Sequence, residues 1–366
     1  MLRKNLFFVS VILLLGLAGS AFAAEEINNK WQAYGGGEWN DPGNWQLGVP
    51  TLGQDARMDQ PGIGPTISDG TNAVCDTVRG PSFEGGECSM TINGGMLSIE
   101  YDWRIADDPG SGPGIVNVNG GLVQLKAKNR PGDEDPGRIK IGGAGEAIFN
   151  MNDGVFIVGP GEPPFAEDSG RMKLSHEGGT GTINMYGGRI YAPQVTLTDD
   201  EVCGRAYINM FGGTFTCAEL NYGGPCPGAS SQWLIDIYDG IIEVMGYGGA
   251  DIVTKTQIDD YVAAGNIIGR GGTVPVSVVL AGGVVTISSG GGGCACDGDL
   301  NQDGQRDLED LQDLAGILLA AGSPFVVADP PPCADLNGDG QADLDDLQAL
   351  AAILLQAGSP FIADCQ

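Results

Sequence analysis

The chain has little positive charge, histidine or aromatic content. Its 18 lysines and arginines stand against 47 aspartates and glutamates, a formal net charge of −29. So acidic a surface repels phosphate backbones and anionic headgroups, which excludes nucleic acid and anionic lipid as natural partners. With one histidine, His176, and no CxxC or Cys/His cluster, the sequence offers neither a zinc ligand set nor a thiol redox centre. His176 lies in KLSHEGG and reads as part of a solvated loop. Aromatic residues make up 7% of the chain, so the expected fold needs no large aromatic core. Long apolar runs are also missing beyond the first two dozen residues.

That first segment has its own pattern. Arg3 and Lys4 precede an apolar run from Leu6 to Ala18, and AFA stands before Ala24. This order is that of a secretory signal over residues 1–23, cleaved after Ala23. The run is short for a membrane span, so no membrane insertion is expected after cleavage; an uncleaved anchor is the alternative. Cleavage removes two positive charges and takes the formal charge from −29 to −31. The expected location is secreted, extracellular or at the cell surface, where free calcium is plentiful and weak sites fill.

Glycine is abundant, 62 of 366 residues, without a collagen period. Much of it sits in a recurring phrase: MTINGG, VNVNGG, FNMNDG, INMYGG, INMFGG, IDIYDG and a degraded VVLAGG. The penultimate residues are Gly94, Gly120, Asp153, Gly187, Gly212, Asp239 and Gly282, at intervals of 26, 33, 34, 25, 27 and 43. Within the phrase, Val116, Phe149, Ile183, Ile208 and Ile235 form one apolar column, and Val118, Met151, Met185, Met210 and Ile237 the next. Asn117, Asn150, Asn184, Asn209 and Asp236 fall on the opposite face. Alternation of period two with one apolar side predicts half-buried strands, and their repetition predicts stacked coils with a continuous core.

Residues 24–287 are therefore expected to form a glycine-rich, mainly β domain, a parallel β-helix-like β-solenoid or, failing that, an irregular β-sandwich. The phrases resemble the rungs of secreted bacterial β-helical proteins such as autotransporter passengers. The opening WQAYGGGEWNDPGNWQLGVP resembles a tryptophan-rich start common in such chains, with Trp31, Trp39 and Trp45 capping the stack. TQIDDYVAAGNIIG, near residue 256, reads as a helical lid before the last rung. Residues 288–293, SSGGGG, read as a flexible linker spanning roughly 13 Å.

The remaining stretch, residues 294–366, contains one twelve-residue loop twice: DLNQDGQRDLED from Asp299 and DLNGDGQADLDD from Asp335, 36 residues apart. Each places Asp, Asn, Asp, Asp and Asp at positions 1, 3, 5, 9 and 12 and Gly at position 6. A hard cation needs six to eight oxygens, which these side chains and the position 7 carbonyl supply, while the glycine allows the sharp turn. Each loop leads into an apolar helical pattern, LEDLQDLAGILLAAGSPF and LDDLQALAAILLQAGSPF, with no matching helix before it. Half an EF-hand is duplicated.

This arrangement, with aspartate at position 12, closely resembles the dockerin domain, a small all-α family that folds around two calcium ions and plugs into a cohesin module. The resemblance covers Asp297–Gln366. It implies Asp299, Asn301, Asp303 and Asp310 as direct ligands, Gln305 through its carbonyl and Asp307 through water. The second loop supplies Asp335, Asn337, Asp339, Gln341, Asp343 and Asp346 in the same order. Position 8 departs from the family pattern, with Arg306 and Ala342, and positions 10 and 11 carry Leu308, Glu309, Leu344 and Asp345. Thirteen aspartates and Glu309 against Arg306 leave this part with a formal charge of −13, which two calcium ions would lower by four.

Nine cysteines in an exported chain suggest disulfides. Cys294, Cys296, Cys333 and Cys365 bracket the two loop units and could form two staples. Cys75 with Cys88 is a candidate local pair, leaving Cys203, Cys217 and Cys226 as an odd set.

Candidate ligand surfaces remain in the β domain. Outward positions Asn119, Asn152, Tyr186, Phe211 and Tyr238 either offer sugar-stacking platforms or stack on one another. Arg138, Lys140, Arg171 and Lys173, in RIKIGG and RMKLSHE, form the best basic stripe. Acid pairs such as Asp107 with Asp108, or Asp199 with Asp200, could in principle supply acid and base, but adjacent residues on a strand point to opposite faces, so they would not flank one bond. The sequence thus supports a non-catalytic secreted protein that binds glycan or another surface and is anchored through its calcium module. The alternative is a polysaccharide-degrading enzyme, lyase or hydrolase, delivered by the same tail.

Overall fold

A computed structural model describes residues 27–81, 86–110, 112–128, 137–165, 170–198, 204–222, 232–247, 249 and 252–289. In the C-terminal part it describes residues 298, 300, 305–323, 325–327, 334, 336, 341–358 and 363–364. The signal segment lies outside these residues. The described chain is mainly β, with 22 strands in one large sheet, almost all paired in parallel, and three α-helices.

The strands fall into three stacks. The first takes Gly35–Glu38, Gly62–Ile67, Cys88–Ile92, the opening halves of Gly114–Leu125 and Glu146–Val158, then Thr180–Met185, Arg205–Met210, Gln232–Ile237 and Ile267–Gly269. The second takes Asn72–Cys75, Met96–Ile99, the closing halves of the two long strands, the opening halves of Arg189–Thr196 and Thr214–Asn221, and Ile241–Val244. The third takes Ile27–Lys30, Gln54–Arg57, Thr77–Arg79, Trp103–Ile105, Arg138–Ile141, Arg171–Leu174 and the closing halves of Arg189–Thr196 and Thr214–Asn221. From Gly62 to Val244 the chain visits the stacks in the same cyclic order on every pass.

The expected columns appear in register. Val116, Phe149, Ile183, Ile208 and Ile235 are consecutive partners, as are Val118, Met151, Met185, Met210 and Ile237, and all ten are buried. The second stack adds Leu97, Val123, Phe156, Ile190, Phe215 and Ile242 to the same core. At one level the interior is aromatic after all. Trp103 of the third stack meets Phe149 of the first and Phe156 of the second edge-on, with centroids 5.9 and 6.0 Å apart, while the two phenylalanines stack at 5.3 Å. Three rings, one from each stack, fill a cross-section that aliphatic side chains fill elsewhere.

The glycine pairs have a steric origin. Gly95, Gly121, Gly154, Gly188 and Gly213 all turn with positive φ, between 65° and 90°. A Cβ on Gly121 would stand 2.6 Å from the carbonyl of Gly95, and one on Gly188 2.5 Å from that of Gly154. Each turn rests on the turn below, so both conformation and space demand glycine.

Trp31, Trp39 and Trp45 pack edge-on in a buried cluster beside the first strands, with Trp31–Trp45 at 5.0 Å and Trp39–Trp45 at 4.8 Å. At the other end, the helix expected near residue 256 spans Ile252–Ala263 (α1). The phrase VVLAGG is not a further parallel rung. Ile267–Gly269 pairs with Ile235–Ile237 instead, and Val276–Ala281 forms an antiparallel hairpin with Val284–Ser289 around Gly282 and Gly283. The hairpin's second strand adds antiparallel to Ile241–Val244 and ends the parallel run. This strand includes Ser288 and Ser289, two residues of the stretch read as linker.

The expected Cys75–Cys88 pair is not formed. Cys75 lies in the second stack opposite Ile99, Cys88 lies in the first opposite Gly62 and Gly114, and each is a buried thiol. Cys217 is a third buried thiol; the other six cysteines lie outside the described residues.

Candidate calcium loops and ligand faces

In the C-terminal part, the helices Leu308–Ala321 (α2) and Leu344–Ala357 (α3) follow the two loops. Their starts are built identically. The Asp307 side chain accepts from Glu309 N at 2.7 Å, and the Asp310 carboxylate accepts from Asp307 N at 2.8 Å, which closes a capping box. Asp343, Asp345 and Asp346 repeat this at 2.7 and 2.8 Å. The second oxygen of Asp310 accepts from Leu300 N at 2.7 Å, and that of Asp346 from Leu336 N at 2.8 Å. Position 12 is thereby tied to position 2, bringing the end of each loop back to its start. Both carboxylates are fully buried.

The two units also pack symmetrically. Leu314, Leu318, Leu350 and Leu354 share one small core with Ala334 and Ala342. Arg306, at position 8 of the first loop, pairs with Ala363 after α3; Ala342, at position 8 of the second, bridges to Val327 after α2. Each loop is braced by the segment following the other unit's helix, and the partners Val327 and Ala363 are again 36 residues apart. Of the expected ligands, Asp307, Asp310, Gln341, Asp343 and Asp346 are described, together with the backbone of Gln305. Asp299, Asn301, Asp303, Asp335, Asn337 and Asp339 lie outside the described residues, as do Cys294, Cys296, Cys333 and Cys365. Outside the shared core, Leu308 and Leu344 are 48% and 46% exposed, and Leu319 and Leu355 69% and 71%. Each helix thus shows the same two leucines to solvent.

On the sheet, the first stack's outer face carries an amide ladder. Asn150 donates to Asn117, Asn184 to Asn150 and Asn209 to Asn184, each Nδ2 to Oδ1, at 2.8, 2.9 and 2.8 Å. Asp236 takes the next place, where both its oxygens accept from Gly271 N, at 2.9 and 3.0 Å. A second ladder runs beside it: Asn119 donates to Asn93 and Asn152 to Asn119, at 2.8 and 2.6 Å. The same column then becomes aromatic. Tyr186 stacks on Phe211 at 4.9 Å and 9°, and Phe211 on Tyr238 at 4.8 Å and 26°. The rings therefore cover one another, while Tyr186, at the end of the stack, stays 51% exposed. The nearby Asp236 carboxylate, followed by burial, raises the Tyr238 pKa.

The third stack differs. Lys30, Arg57, Arg79, Arg104, Lys140 and Lys173 stand in register on six successive strands. The basic stripe read from sequence contained two of these, with Arg138 and Arg171 paired two residues earlier. Lys30, Arg57, Arg79 and Arg104 escaped it because their strands are three or four residues long and lack the glycine phrase. A basic residue closing Ile27–Lys30, Gln54–Arg57 and Thr77–Arg79 was the available signal. Arg57, Arg79 and Arg104 line a cleft of about 60 Å³ with Asp59, Gly80, Asp107 and Asp108. Asp107 and Asp108 sit in the turn after Trp103–Ile105 rather than on a strand, so both face this cleft and the alternation argument does not separate them. Asp199 and Asp200 lie outside the described residues. His176 is not solvated: its side chain is 14% exposed and its Nδ1 lies 3.2 Å from Glu177 Oε1.

Other titratable groups serve structure. Burial raises the Glu100 pKa, but hydrogen bonds from Lys126 and Lys128 outweigh it and hold the carboxyl below its ordinary value. Burial pushes the Cys75 and Cys217 thiols well up, with nearby carboxylates adding to the effect, so neither is a ready nucleophile. Among the described residues, no three His, Cys, Asp or Glu side chains gather as a metal site, and no helix is long and apolar enough to cross a membrane. Comparison with protein families, with curated proteins and with solved structures gives no match.

Proposed function

We propose that the chain is a secreted, non-catalytic binding protein: a rigid β-solenoid that presents a face to glycan or another extracellular surface, carried by a dockerin-like module with two calcium loops. The cyclic visiting of three parallel stacks supports the solenoid. The observation that carries the calcium reading is the buried position 12 carboxylate, repeated at Asp310 and Asp346 with the same two backbone hydrogen bonds to it. A carboxylate excluded from water and folded back onto its own loop is where a wrapped cation gains most. Asp299, Asn301, Asp303 and Asp310 would hold one ion with the Gln305 carbonyl and, through water, Asp307. Asp335, Asn337, Asp339, Gln341, Asp343 and Asp346 would hold the other. Each ion would neutralise two of the surrounding charges. The paired exposed leucines on α2 and α3 support docking to a cohesin-like protein module. Two staples among Cys294, Cys296, Cys333 and Cys365 would suit so small a core.

Calcium titration of the full chain, followed by calorimetry, is expected to fill two sites, and Asp310→Ala to remove one. Retention on a polysaccharide panel without release of reducing ends or unsaturated uronate is expected for the sheet. Turnover would instead support a polysaccharide-degrading enzyme. That reading draws on Asp107 and Asp108 facing one cleft, but the cleft holds about two water volumes, too little for a sugar ring.

A further inference from the structure

We propose that the outer face of the third stack is a docking track for an acidic polysaccharide, one bearing carboxylate or sulfate groups, laid across the strands from Lys30 towards Lys173. This inference rests on the glycan-binding reading above and names the class of glycan and the face that takes it.

The first support is placement. The six-rung column, with Arg138 and Arg171 beside it, holds eight of the chain's 18 basic residues on one face of a protein whose net charge is −29. The fold does not require charge there. At the corresponding outward place on the first stack, the same rung spacing is met by neutral asparagines bonded to one another. Cations on neighbouring rungs, about 4.8 Å apart, repel each other, so the column is costly unless something offsets it.

Internal acids offset it in part. Asp59 lies 3.5 Å from Lys30 and 3.3 Å from Arg57, and Asp55 lies 3.4 Å from Arg79. Lys140, with its side chain 7% exposed, has Asp107 at 3.6 Å and Glu177 at 3.7 Å. Arg104 reaches Asp102 at 3.0 Å and Asp107 at 3.7 Å. The Arg104–Asp102 contact lies just outside the roughly 2.7–2.9 Å of a charge-assisted hydrogen bond, and the others lie well beyond it. Each guanidinium carries five donors, more than a single carboxylate accepts, so an incoming oxyanion can share them. The cleft among Arg57, Arg79 and Arg104, about 60 Å³, takes one such group while its sugar ring stays outside.

The mixed composition of the face selects the ligand. Asp59, Asp107 and Asp108 can accept hydroxyl protons from a sugar, whereas they repel a backbone charged at every link. A polysaccharide with one anionic group per sugar alternates charge and hydroxyl as this face alternates guanidinium and carboxylate. None of the outward residues of the third stack is aromatic, so bases would find no ring to stack on.

The test uses the full chain in calcium buffer, measuring affinity for polygalacturonate, dextran sulfate, neutral dextran and single-stranded DNA. Binding to one or both acidic glycans, weakening with salt, is expected, with neither dextran nor DNA bound comparably; the two acidic arms separate carboxylate from sulfate. Arg79→Gln and Arg104→Gln are each expected to weaken binding about tenfold. Lys30→Gln, at a half-exposed position that leaves folding intact, is expected to weaken it about threefold, and Lys255→Gln on α1 not at all. Should either arginine variant fail to fold, Lys30→Gln alone decides. Wild-type affinity in the variants, equal retention of DNA, or failure to bind either acidic glycan would overturn the track. Binding to neutral glycan alone would also overturn it while leaving the broader glycan reading standing.

Discussion

In the sheet, each repeat of 25 to 34 residues adds a buried apolar side chain to every stack and, through the middle of the first stack, an amide to an outer ladder. In the C-terminal part, each repeat of 36 residues adds one helix, a few leucines and one buried carboxylate. Both regions repeat a short unit, but the units differ in the charge they bury. A rung in the sheet is complete once it has neighbours above and below. A loop unit carries a buried carboxylate held by backbone N–H groups, which its partner unit repeats rather than cancels. The calcium dependence proposed for the C-terminal part, and not for the sheet, rests on that difference.

The contrast can be tested from both sides. Phe149→Ala removes a ring between Trp103 and Phe156 and should cost about 4 kcal/mol in denaturant unfolding of the sheet. The C-terminal transition should not move; if it does, the two regions are one cooperative unit. Asp346→Ala leaves the backbone N–H groups of Leu336 and Asp343 without their acceptor and should cost the C-terminal transition about 3 kcal/mol. Unchanged calcium stoichiometry in that variant would remove Asp346 from the ligand set. Asn184→Ala interrupts the ladder at its centre, breaking one bond to Asn150 and one from Asn209, and should cost the sheet about 1–2 kcal/mol. A loss too small to measure would make the ladder a consequence of stacking rather than a contributor to it.

The smallest effect is set by pH. Because Lys126 and Lys128 hold the Glu100 pKa below its ordinary value of 4.5, their pairing stabilises the sheet fully above that value. The contribution is lost as pH falls through the depressed, folded-state value. Acid titration of wild type against Glu100→Gln should therefore show stability curves that converge below that window and separate above it. Parallel curves would assign the acid dependence to other carboxylates.

What could be read in advance was the part whose chemistry is local. Alternation around Phe149, Ile183 and Ile208, and the shared asparagine position, are visible because each strand of the first stack is six residues or so and ends in the same turn. The loop units are visible because Asp and Asn recur at fixed offsets around a glycine. Of the third stack, only Arg138–Ile141 and Arg171–Leu174 were visible. Its separate strands are three or four residues, too short for a period to register, and the chain between them wanders by 22 to 36 residues from one cation to the next. Arg57, Arg79 and Arg104 become a column through parallel pairing, a relation between distant segments. The hairpin at Gly282 was misread for a similar reason: VVLAGG has the alternation of a rung, and only the hydrogen-bond partner distinguishes parallel addition from a turn back. Asp107 and Asp108 were separated by a strand rule that does not hold in the turn they occupy.

On the proposed function, cation dependence is confined to the C-terminal part. The direct measurement is amide hydrogen exchange on the full chain in calcium, in chelator, and after calcium is restored. Protection in α2 and α3 should vanish in chelator and return with calcium, while the strands holding Phe149, Ile183 and Ile208 keep theirs throughout. Persistent protection of both helices in chelator, or loss of protection in those strands, would contradict the account.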